Sequence, residues 1–359
     1  MEANETGADL PQDISSPEET STPTPTPKPY VLNPNAPIAK YWEKPLYSVA
    51  TVPPLDLGYE TRERHRIFAL LLFALMRRFF NGNKNGSRGT YPWREKQRDN
   101  DGRYTGNDYL GHNIGAIAVD LTGEVIDFDF NHNQIFGSSA EHAEARLIRR
   151  VFSLTQLYDG WDTRMPGDPP RTRGYSTLLG GVTVYTSLES CAQCSGVMAL
   201  GQVGQVVYLQ RDPGTYHIGN ILWNLTSREI GAAEAAEVKA TAPRPIPGSE
   251  IDFHYFNELN TKYRDYYSAV RNKPFHMIEG KQADCSSALT CFLCTDEALD
   301  IFDRARKEFF ALSEGNLKYS DFRPEGKPQP MTNAEALSRA ARFYDYASDV
   351  GRRGTPHNL

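Results

Sequence analysis

Two short, widely separated motifs supply the residue types that hold a catalytic zinc ion. His142 and Glu144 form an H-x-E motif, and Cys191 and Cys194 form a C-x-x-C motif. A structural zinc site is normally closed by four protein ligands, whereas a catalytic site uses three and leaves one position for water. One imidazole and two thiolates leave that position open. The motifs therefore indicate hydrolysis at one zinc ion, with Glu144 as the general acid and base.

Both motifs are predicted to open helices. The pattern predicts one helix from about Ala140 to Leu154 and a second from the cysteine motif to about Gly201. Cys191 and Cys194 are three residues apart, so at helical spacing they share a face. A helix N-terminus also favours negative charge and so favours thiolates. We therefore expect two helix N-termini to converge on the metal.

Apolar segments with strand character surround the motifs. They predict strands at 114–120, 124–130, 182–186, 206–210 and 251–256, a buried apolar helix at 62–80, and helices at 218–226 and 232–240. A helical crossover between the last two strands favours a parallel pairing there. The motif helices are thus expected to follow strands of one sheet.

The order of the motifs resembles the cytidine deaminase-like superfamily of zinc-dependent deaminases. The resemblance covers about Ile114 to Phe256. The run from Thr186 to Cys191 is similar to the T-L-E-P-C run of the branch that contains deoxycytidylate, tRNA adenosine and guanine deaminases, with Ser190 where the family usually has proline. The resemblance implies an α/β fold, a three-layer α/β/α sandwich with a mixed five-stranded sheet.

The resemblance also implies a reaction and a set of site residues. The implied zinc ligands are His142, Cys191 and Cys194, the implied catalytic residue is Glu144, and the implied substrate-binding residues are Asn131, Ala143 and Glu189. The expected reaction converts an amino-bearing nucleobase, with a cytosine type favoured, of a nucleoside or nucleotide to its keto form and releases ammonia. Two alternatives stay open: a deaminase of bases in tRNA or single-stranded nucleic acid, and a non-catalytic zinc-bearing binding module.

Composition and charge narrow the class of partner. The 359 residues carry a formal charge of −6, and six acidic residues against one lysine place most of that charge in the first 30 residues. The near-neutral remainder favours a small nucleoside or nucleotide over a polynucleotide. No apolar run approaches the roughly 20 residues that span a bilayer, and no secretory signal precedes the chain's motifs. With only five cysteines, we expect an intracellular, cytoplasmic protein without a membrane partner, and a homo-oligomer stays open.

The chain divides into three predicted parts. Residues 1–30 are rich in Pro and Thr and predict a disordered tail. Residues 31–256 are the predicted zinc deaminase domain, with the motif-bearing core at 114–256. Residues 257–359 are a predicted helical C-terminal extension, whose last helix opens with a capping box at Thr332–Glu335. This extension is either an appendage or part of the packing on the main sheet.

Three further segments carry candidate roles. The loop from Asn81 to Asn113 interleaves basic and aromatic residues, which could grip single-stranded nucleic acid or a nucleotide phosphate, or form a solvated loop. The loop from Tyr158 to Tyr175 is a lid, a substrate-selecting wall or a surface insertion. Cys285, Cys291 and Cys294, with His276, suggest a second zinc site, against the alternative that they are buried core residues.

Overall fold

Five strands of the computed structural model form one mixed sheet that carries the motif helices. The structure describes residues 33–80 except 35, 112–157 except 134–137, 179–270 except 231–236, 277–278, 281–282, and 287–350 except 327. The described residues contain nine strands, of which five form this sheet. They are β1 (Gly115–Val119), β2 (Val125–Phe130), β3 (Thr183–Thr186), β4 (Gln205–Tyr208), β5 (Arg228–Ile230), β6 (Glu237–Lys239), β7 (Arg244–Pro247), β8 (Met277–Ile278) and β9 (Lys281–Gln282). The sheet has the order β2-β1-β3-β4-β7.

Strand directions match the predicted mixed sheet. β1 pairs antiparallel with β2 and β3, whereas β3, β4 and β7 are parallel to one another. The two remaining strand pairs, β5–β6 and β8–β9, are separate antiparallel hairpins. The fifth strand of the sheet is therefore parallel to the fourth, but it is β7 and not the predicted strand at 251–256.

Helices cover both faces of the sheet. They are α1 (Leu46–Ala50), α2 (Tyr59–Arg78), α3 (Ala143–Leu157), α4 (Ala192–Leu200), α5 (Ile218–Thr226), α6 (His254–Val270), α7 (Leu289–Phe292), α8 (Asp296–Ala311) and α9 (Asn333–Val350). Short 3-10 helices lie at Pro37–Tyr41, Gly248–Ile251 and Glu314–Asn316. α3 packs on β1 and β2 and against α4, whereas α2 packs on β1 and β3 and against α8 and α9.

The contacts of alternating side chains along β2 show that these two sets of helices lie on opposite faces of the sheet. The buried Asp127 and Asp129 face α3, where they pair with Arg150 and Arg146. Phe128, the residue between them, contacts the aromatic rings of the α2 and α9 layer. Since successive side chains of a strand point to opposite faces, the helices form two outer layers around the sheet. The predicted three-layer α/β/α sandwich is confirmed.

The C-terminal helices complete the layer that contains α2. From Ile67 to Met76 every residue of α2 is buried, because one side of the helix meets the sheet and the other meets α8 and α9. The capping box of the last helix is present: Thr332 N–H donates to Glu335 Oε2 at 2.7 Å, and Glu335 N–H donates to Thr332 Oγ1 at 3.1 Å. None of the helices within the described residues has the length and apolar character that crossing a membrane requires.

Two element predictions were wrong. The fifth strand of the sheet is β7, and residues 251–256 instead end a 3-10 helix and begin α6. Pro245 and Pro247 lack backbone N–H donors, so the segment did not look like a strand, yet an edge strand tolerates them because it pairs on one side only. The predicted helix at 232–240 includes strand β6, which pairs with β5.

Candidate active site and metal centre

The two motifs meet where the N-termini of α3 and α4 converge. His142 immediately precedes α3, Cys191 is the N-cap residue of α4, and Cys194 lies in the first turn of α4. The two helices pack against each other. The sequence prediction that two helix N-termini approach one point is thereby confirmed.

The three predicted ligand side chains form a compact group. His142 Nδ1 lies 3.3 Å from Cys191 Sγ and 3.6 Å from Cys194 Sγ, and the two sulfur atoms are 3.7 Å apart. Tetrahedral zinc, with bonds of about 2.0–2.1 Å to nitrogen and about 2.3 Å to sulfur, places nitrogen and sulfur ligands about 3.6 Å apart and two sulfurs about 3.8 Å apart. The donor set and its spacing therefore fit one tetrahedral metal ion with a fourth position left for another ligand.

The electrostatics of the group favour a thiolate at Cys191 and a neutral thiol at Cys194 when no cation is bound. Hydrogen bonds from Cys194 and His142 hold the pKa of Cys191 at about 4, although burial opposes this shift. The pKa of Cys194 is raised by its hydrogen bond to Cys191 and by burial. The pKa of His142 is raised, first by its hydrogen bond to Cys191. A cation held between these atoms would stabilise the deprotonated form of both thiols.

Glu144 lies beside this group and is almost fully buried. Its Oε2 is 3.4 Å from Cys194 Sγ, whereas Oε1 accepts hydrogen bonds from Ser190 Oγ at 3.0 Å and from Thr186 Oγ1 at 3.2 Å. Burial raises the pKa of the Glu144 carboxyl. A carboxyl with a raised pKa is suited to proton exchange near neutral pH.

The two hydroxyl donors to Glu144 were not predicted. Thr186 is the last residue of β3, and Ser190 stands at the position where the resemblance led us to expect proline. A polar residue at that position was the available signal. The structure places the Ser190 hydroxyl against Glu144, the candidate catalytic carboxylate.

Asn131 and Ala143 are joined directly. The Ala143 N–H, at the start of α3, donates to Asn131 Oδ1 at 2.7 Å, and both residues are buried. The backbone donor of Ala143 is therefore engaged, and the Asn131 Nδ2 makes no hydrogen bond within the described residues. The two predicted substrate contacts thus lie side by side at the entry to α3.

Glu189 connects the motif to the loop that follows β4. Its Oε1 lies 3.2 Å from His217 Nδ1, and its Oε2 accepts from the Asp212 N–H at 3.2 Å. Burial raises the pKa of Glu189, while His217 opposes the shift. Burial also raises the pKa of Asp212. Through its two contacts with Glu189, the loop lies beside the cysteine motif.

That loop holds two consecutive residues in the left-handed region. Tyr216 has a φ of 52° and His217 a φ of 56°, which is uncommon for residues with a side chain. Such strain persists where surrounding contacts enforce it, and it concentrates at functional sites. Through its contact with Glu189, His217 lies at the edge of the site.

The remaining candidates are partly outside the described residues. Residues 81–111, the loop from Tyr158 to Tyr175, Cys285 and His276 lie outside them, as does the predicted tail. Cys291 and Cys294 are fully buried near α7, and Asn113 Nδ2 approaches Cys294 Sγ at 3.7 Å. Within the described part of the chain, His142, Cys191 and Cys194 are the group of three His, Cys, Asp or Glu residues able to share a metal.

Comparison with known proteins gives one related sequence and several structures. No protein-family model matches the chain. The chain is 27% identical over 149 residues to a tRNA-specific adenosine deaminase of Bacillus subtilis (strain 168), which covers 42% of this chain and 78% of the relative. The 78% share means that most of the relative's length is represented here.

Similar solved structures superpose only on part of the chain. One comes from studies of A-to-I editing by tRNA:A34 deaminases at the wobble position of transfer RNA, at 20% identity, covering 38% of this chain and 82% of the other, with a TM-score of 0.25. Guanine deaminase of Bacillus subtilis is 22% identical, covering 28% and 50%, with a TM-score of 0.22. Guanine deaminase of Nitrosomonas europaea is 19% identical, covering 41% and 71%, with a TM-score of 0.25.

The resemblance to the cytidine deaminase-like superfamily rests on features of the chain and on the related sequence. The H-x-E and C-x-x-C motifs open adjacent helices, their ligand atoms converge, and the sheet has parallel third, fourth and fifth strands. The sequence match covers 42% of the chain. Together these observations bear out the predicted resemblance of the motif-bearing part of this chain to the cytidine deaminase-like superfamily.

Proposed function

We propose that this chain is a zinc-dependent hydrolytic deaminase of an amino-bearing nucleobase. One observation carries the proposal: the buried Glu144 carboxylate lies 3.4 Å from Cys194 without belonging to the three-ligand group. A carboxylate in that place serves proton transfer, whereas a purely structural metal site has no use for it. The similarity to a tRNA-specific adenosine deaminase supports the same reaction class.

The ligands would hold one zinc ion, which when bound supplies Lewis-acid activation of water. Hydrolytic deamination adds water to the sp² carbon that carries the amino group. One proton from water goes to the ring nitrogen, another leaves with the amine as ammonia, and the carbon keeps the oxygen as a carbonyl. Glu144 is the group that moves these protons, with Oε1 fixed by Ser190 and Thr186 and Oε2 turned to the ligand group.

Substrate orientation falls to the residues around this centre. The Asn131 Oδ1 is taken by the Ala143 N–H, so its Nδ2 remains as a donor for a base or ribose oxygen. Glu189 is held in place by Asp212 and His217, and we propose that it lines the substrate pocket. Their placement beside the ligand group supports substrate-binding roles for Asn131 and Glu189, whereas the Ala143 N–H already donates to Asn131.

The sequence favoured a cytosine-type base in a free nucleoside or nucleotide. The relatives' names include adenosine in tRNA and guanine, which are also amino-bearing bases. Ammonia release from zinc-loaded full-length protein on cytidine, deoxycytidylate, adenosine, guanine and a single-stranded oligonucleotide separates these substrates. Turnover of any of them supports the reaction class.

The matched control is Glu144→Gln, which keeps the size of the side chain and removes its proton-carrying role. We expect it to retain zinc, measured by elemental analysis, and to lower kcat at least about 10²-fold. Stoichiometric zinc with no ammonia from any substrate would instead establish the non-catalytic zinc-binding module. An unchanged kcat in Glu144→Gln would refute the assigned role of Glu144.

A further inference from the structure

A strip of aromatic and cationic side chains borders the metal centre, and the function proposed above does not use it. The strip, here called the platform, consists of Arg211, Tyr216, Tyr263, Arg264 and Tyr267. The first two lie in the loop after β4, and the other three lie on α6. Within α6, Asn260, Tyr263, Arg264 and Tyr267 follow the spacing i, i+3, i+4, i+7, which places them on one face of the helix.

The loop and this face of α6 contact each other. The Arg211 N–H donates to Asn260 Oδ1 at 3.1 Å. This hydrogen bond joins the loop to the face of α6 that carries Tyr263, Arg264 and Tyr267.

The platform begins at the metal centre. Asp212 donates its N–H to Glu189 at 3.2 Å, and Glu189 is two residues from the ligand Cys191. Beyond Asp212 the left-handed backbone at Tyr216 leaves that side chain 79% exposed. A large aromatic ring held in solvent by a strained backbone at the edge of a site is more consistent with binding than with packing.

The aromatic rings on α6 are backed by the fold. The centroids of Tyr263 and Tyr267 are 6.2 Å apart, and Tyr263 packs at 5.7 Å on the buried Phe292 of α7. Tyr263 also donates its hydroxyl to the Ser287 carbonyl at 3.2 Å. Tyr267 is 40% exposed, so one supported ring presents itself to solvent.

The cations of the platform face solvent beside these rings. Arg211 and Arg264 are both exposed. The Arg211 guanidinium makes no hydrogen bond or ion pair with the described residues, and Arg264 donates only to Thr261 Oγ1, at 3.1 Å. Guanidinium groups beside exposed aromatic rings complement the phosphates and bases of an unpaired strand.

We infer that the platform binds the nucleotides that flank the reacting base, so that the substrate is a base within a single-stranded polynucleotide. The inference rests on the proposed function, since it takes the ligand group as the place of the reacting base. The near-neutral net charge of the chain beyond residue 30 favoured a free nucleoside or nucleotide as substrate. The inferred substrate differs, because a few local arginines and tyrosines can bind a short strand without a strongly positive net charge on the whole protein. Bases would stack on Tyr216 and Tyr267, and phosphates would pair with Arg211 and Arg264.

A binding measurement with a single-stranded nucleic acid tests the inference without requiring enzymatic turnover. The probe is a fluorescein-labelled 12-nucleotide RNA without secondary structure, titrated by anisotropy into zinc-loaded full-length Glu144→Gln, with DNA of the same sequence as a second arm. Tyr267→Ala and Tyr216→Ala should each weaken binding at least about fivefold. Arg211→Gln should weaken it and reduce the slope of log K against log salt by about 0.7.

The matched control is Tyr319→Ala, because Tyr319 is 37% exposed, close to the 40% of Tyr267, and lies in the loop after α8. It should bind the strand like the parent protein. Absence of strand binding in the parent, or equal affinity and salt slope in all variants, would overturn the inference while leaving turnover of free nucleosides possible. Platform-dependent strand binding without ammonia release from any substrate would support strand binding by the platform, but it would reject the proposed function and with it the assignment of a strand base as substrate.

Discussion

The Ser190 hydroxyl donates a hydrogen bond to Glu144 Oε1 at 3.0 Å. Thr186 donates to the same oxygen, but its hydroxyl is shared with the Leu188 carbonyl at 3.1 Å. Ser190 is therefore the donor dedicated to this carboxylate, at a position where the family usually has proline. A proline could not make this contact, so the chain fixes its proton-carrying group with a side chain of its own.

Replacing Ser190 should affect turnover more than metal binding. Hydrogen bonds to charged groups contribute about 1.5–3 kcal/mol, so Ser190→Ala should lower kcat roughly 10- to 100-fold. Zinc content should stay stoichiometric because the three ligands are untouched. Steady-state kinetics and elemental analysis on the same sample check both expectations. Loss of zinc, or a kcat equal to that of the parent, would contradict this role.

Asn131 should show separable effects on stability and on substrate affinity. Asn131→Ala leaves the buried Ala143 N–H without its acceptor, which should cost about 1–3 kcal/mol in free energy of unfolding. Asn131→Asp keeps the acceptor and places negative charge at a helix N-terminus, so it should unfold close to the parent. Both variants lose the amide donor and should raise KM. If Asn131→Asp were as unstable as Asn131→Ala, the hydrogen bond would not be the cause.

The buried pair of His65 and Tyr185 should make the fold sensitive to acid. Nδ1 of His65 lies 2.7 Å from the Tyr185 hydroxyl, and burial, with a smaller effect of Arg64, lowers the pKa of His65 to about 4. The unfolded chain binds this proton below about pH 6.5 and the native state does not. Stability is therefore full above pH 6.5 and falls as the pH drops toward 4, by about 3 kcal/mol in total.

Urea unfolding between pH 7 and pH 4 measures this loss. The control is His65→Gln, which does not titrate and can still accept a hydrogen bond from Tyr185. The free energy of unfolding is plotted against pH for the parent and for this variant. The difference between the two slopes gives the contribution of His65 apart from those of the carboxylates and of His142. Parallel stability curves for the two proteins would show that His65 is not the acid-sensitive group.

Metal removal should destabilise the fold through the same three ligands. Free zinc at about 1,000 times Kd adds about 4 kcal/mol to the free energy of unfolding. Chelation should accordingly lower Tm in the parent, and Cys191→Ser should lower Tm without any further change on adding chelator. Differential scanning calorimetry with and without chelator checks this. A chelator effect that persists in Cys191→Ser would place the stabilising metal elsewhere.

The sequence predicted the ligand group because its chemistry and its helix positions are local. H-x-E and C-x-x-C each fix two side chains within one turn, and the structure brings the two motifs together. The contacts of Glu144 with Thr186 and Ser190 were not predictable in the same way, because they depend on how the end of β3 meets α3. Likewise the platform joins a loop and a helix separated by more than 40 residues.

The fifth strand shows how tertiary context overrides local preference. Phe253, Tyr255 and Phe256 are aromatic residues typical of strands, but they lie in or next to α6 and fill the core beside α2. The proline-containing β7 takes the edge of the sheet. Whether a segment lies at the edge of the sheet or packs into the core depends on the whole fold, and a local sequence pattern does not contain that information.

The two-sided burial of α2 has a consequence for biosynthesis. The chain must add roughly 220 residues after α2 before α8 exists, which takes about 10–40 s at 5–20 residues per second. During that interval the side of α2 that α8 and α9 later cover, rich in Leu and Phe, has no native neighbour. Because transiently exposed apolar surface promotes aggregation, we expect the nascent chain to be most prone to aggregation until the final helices cover α2.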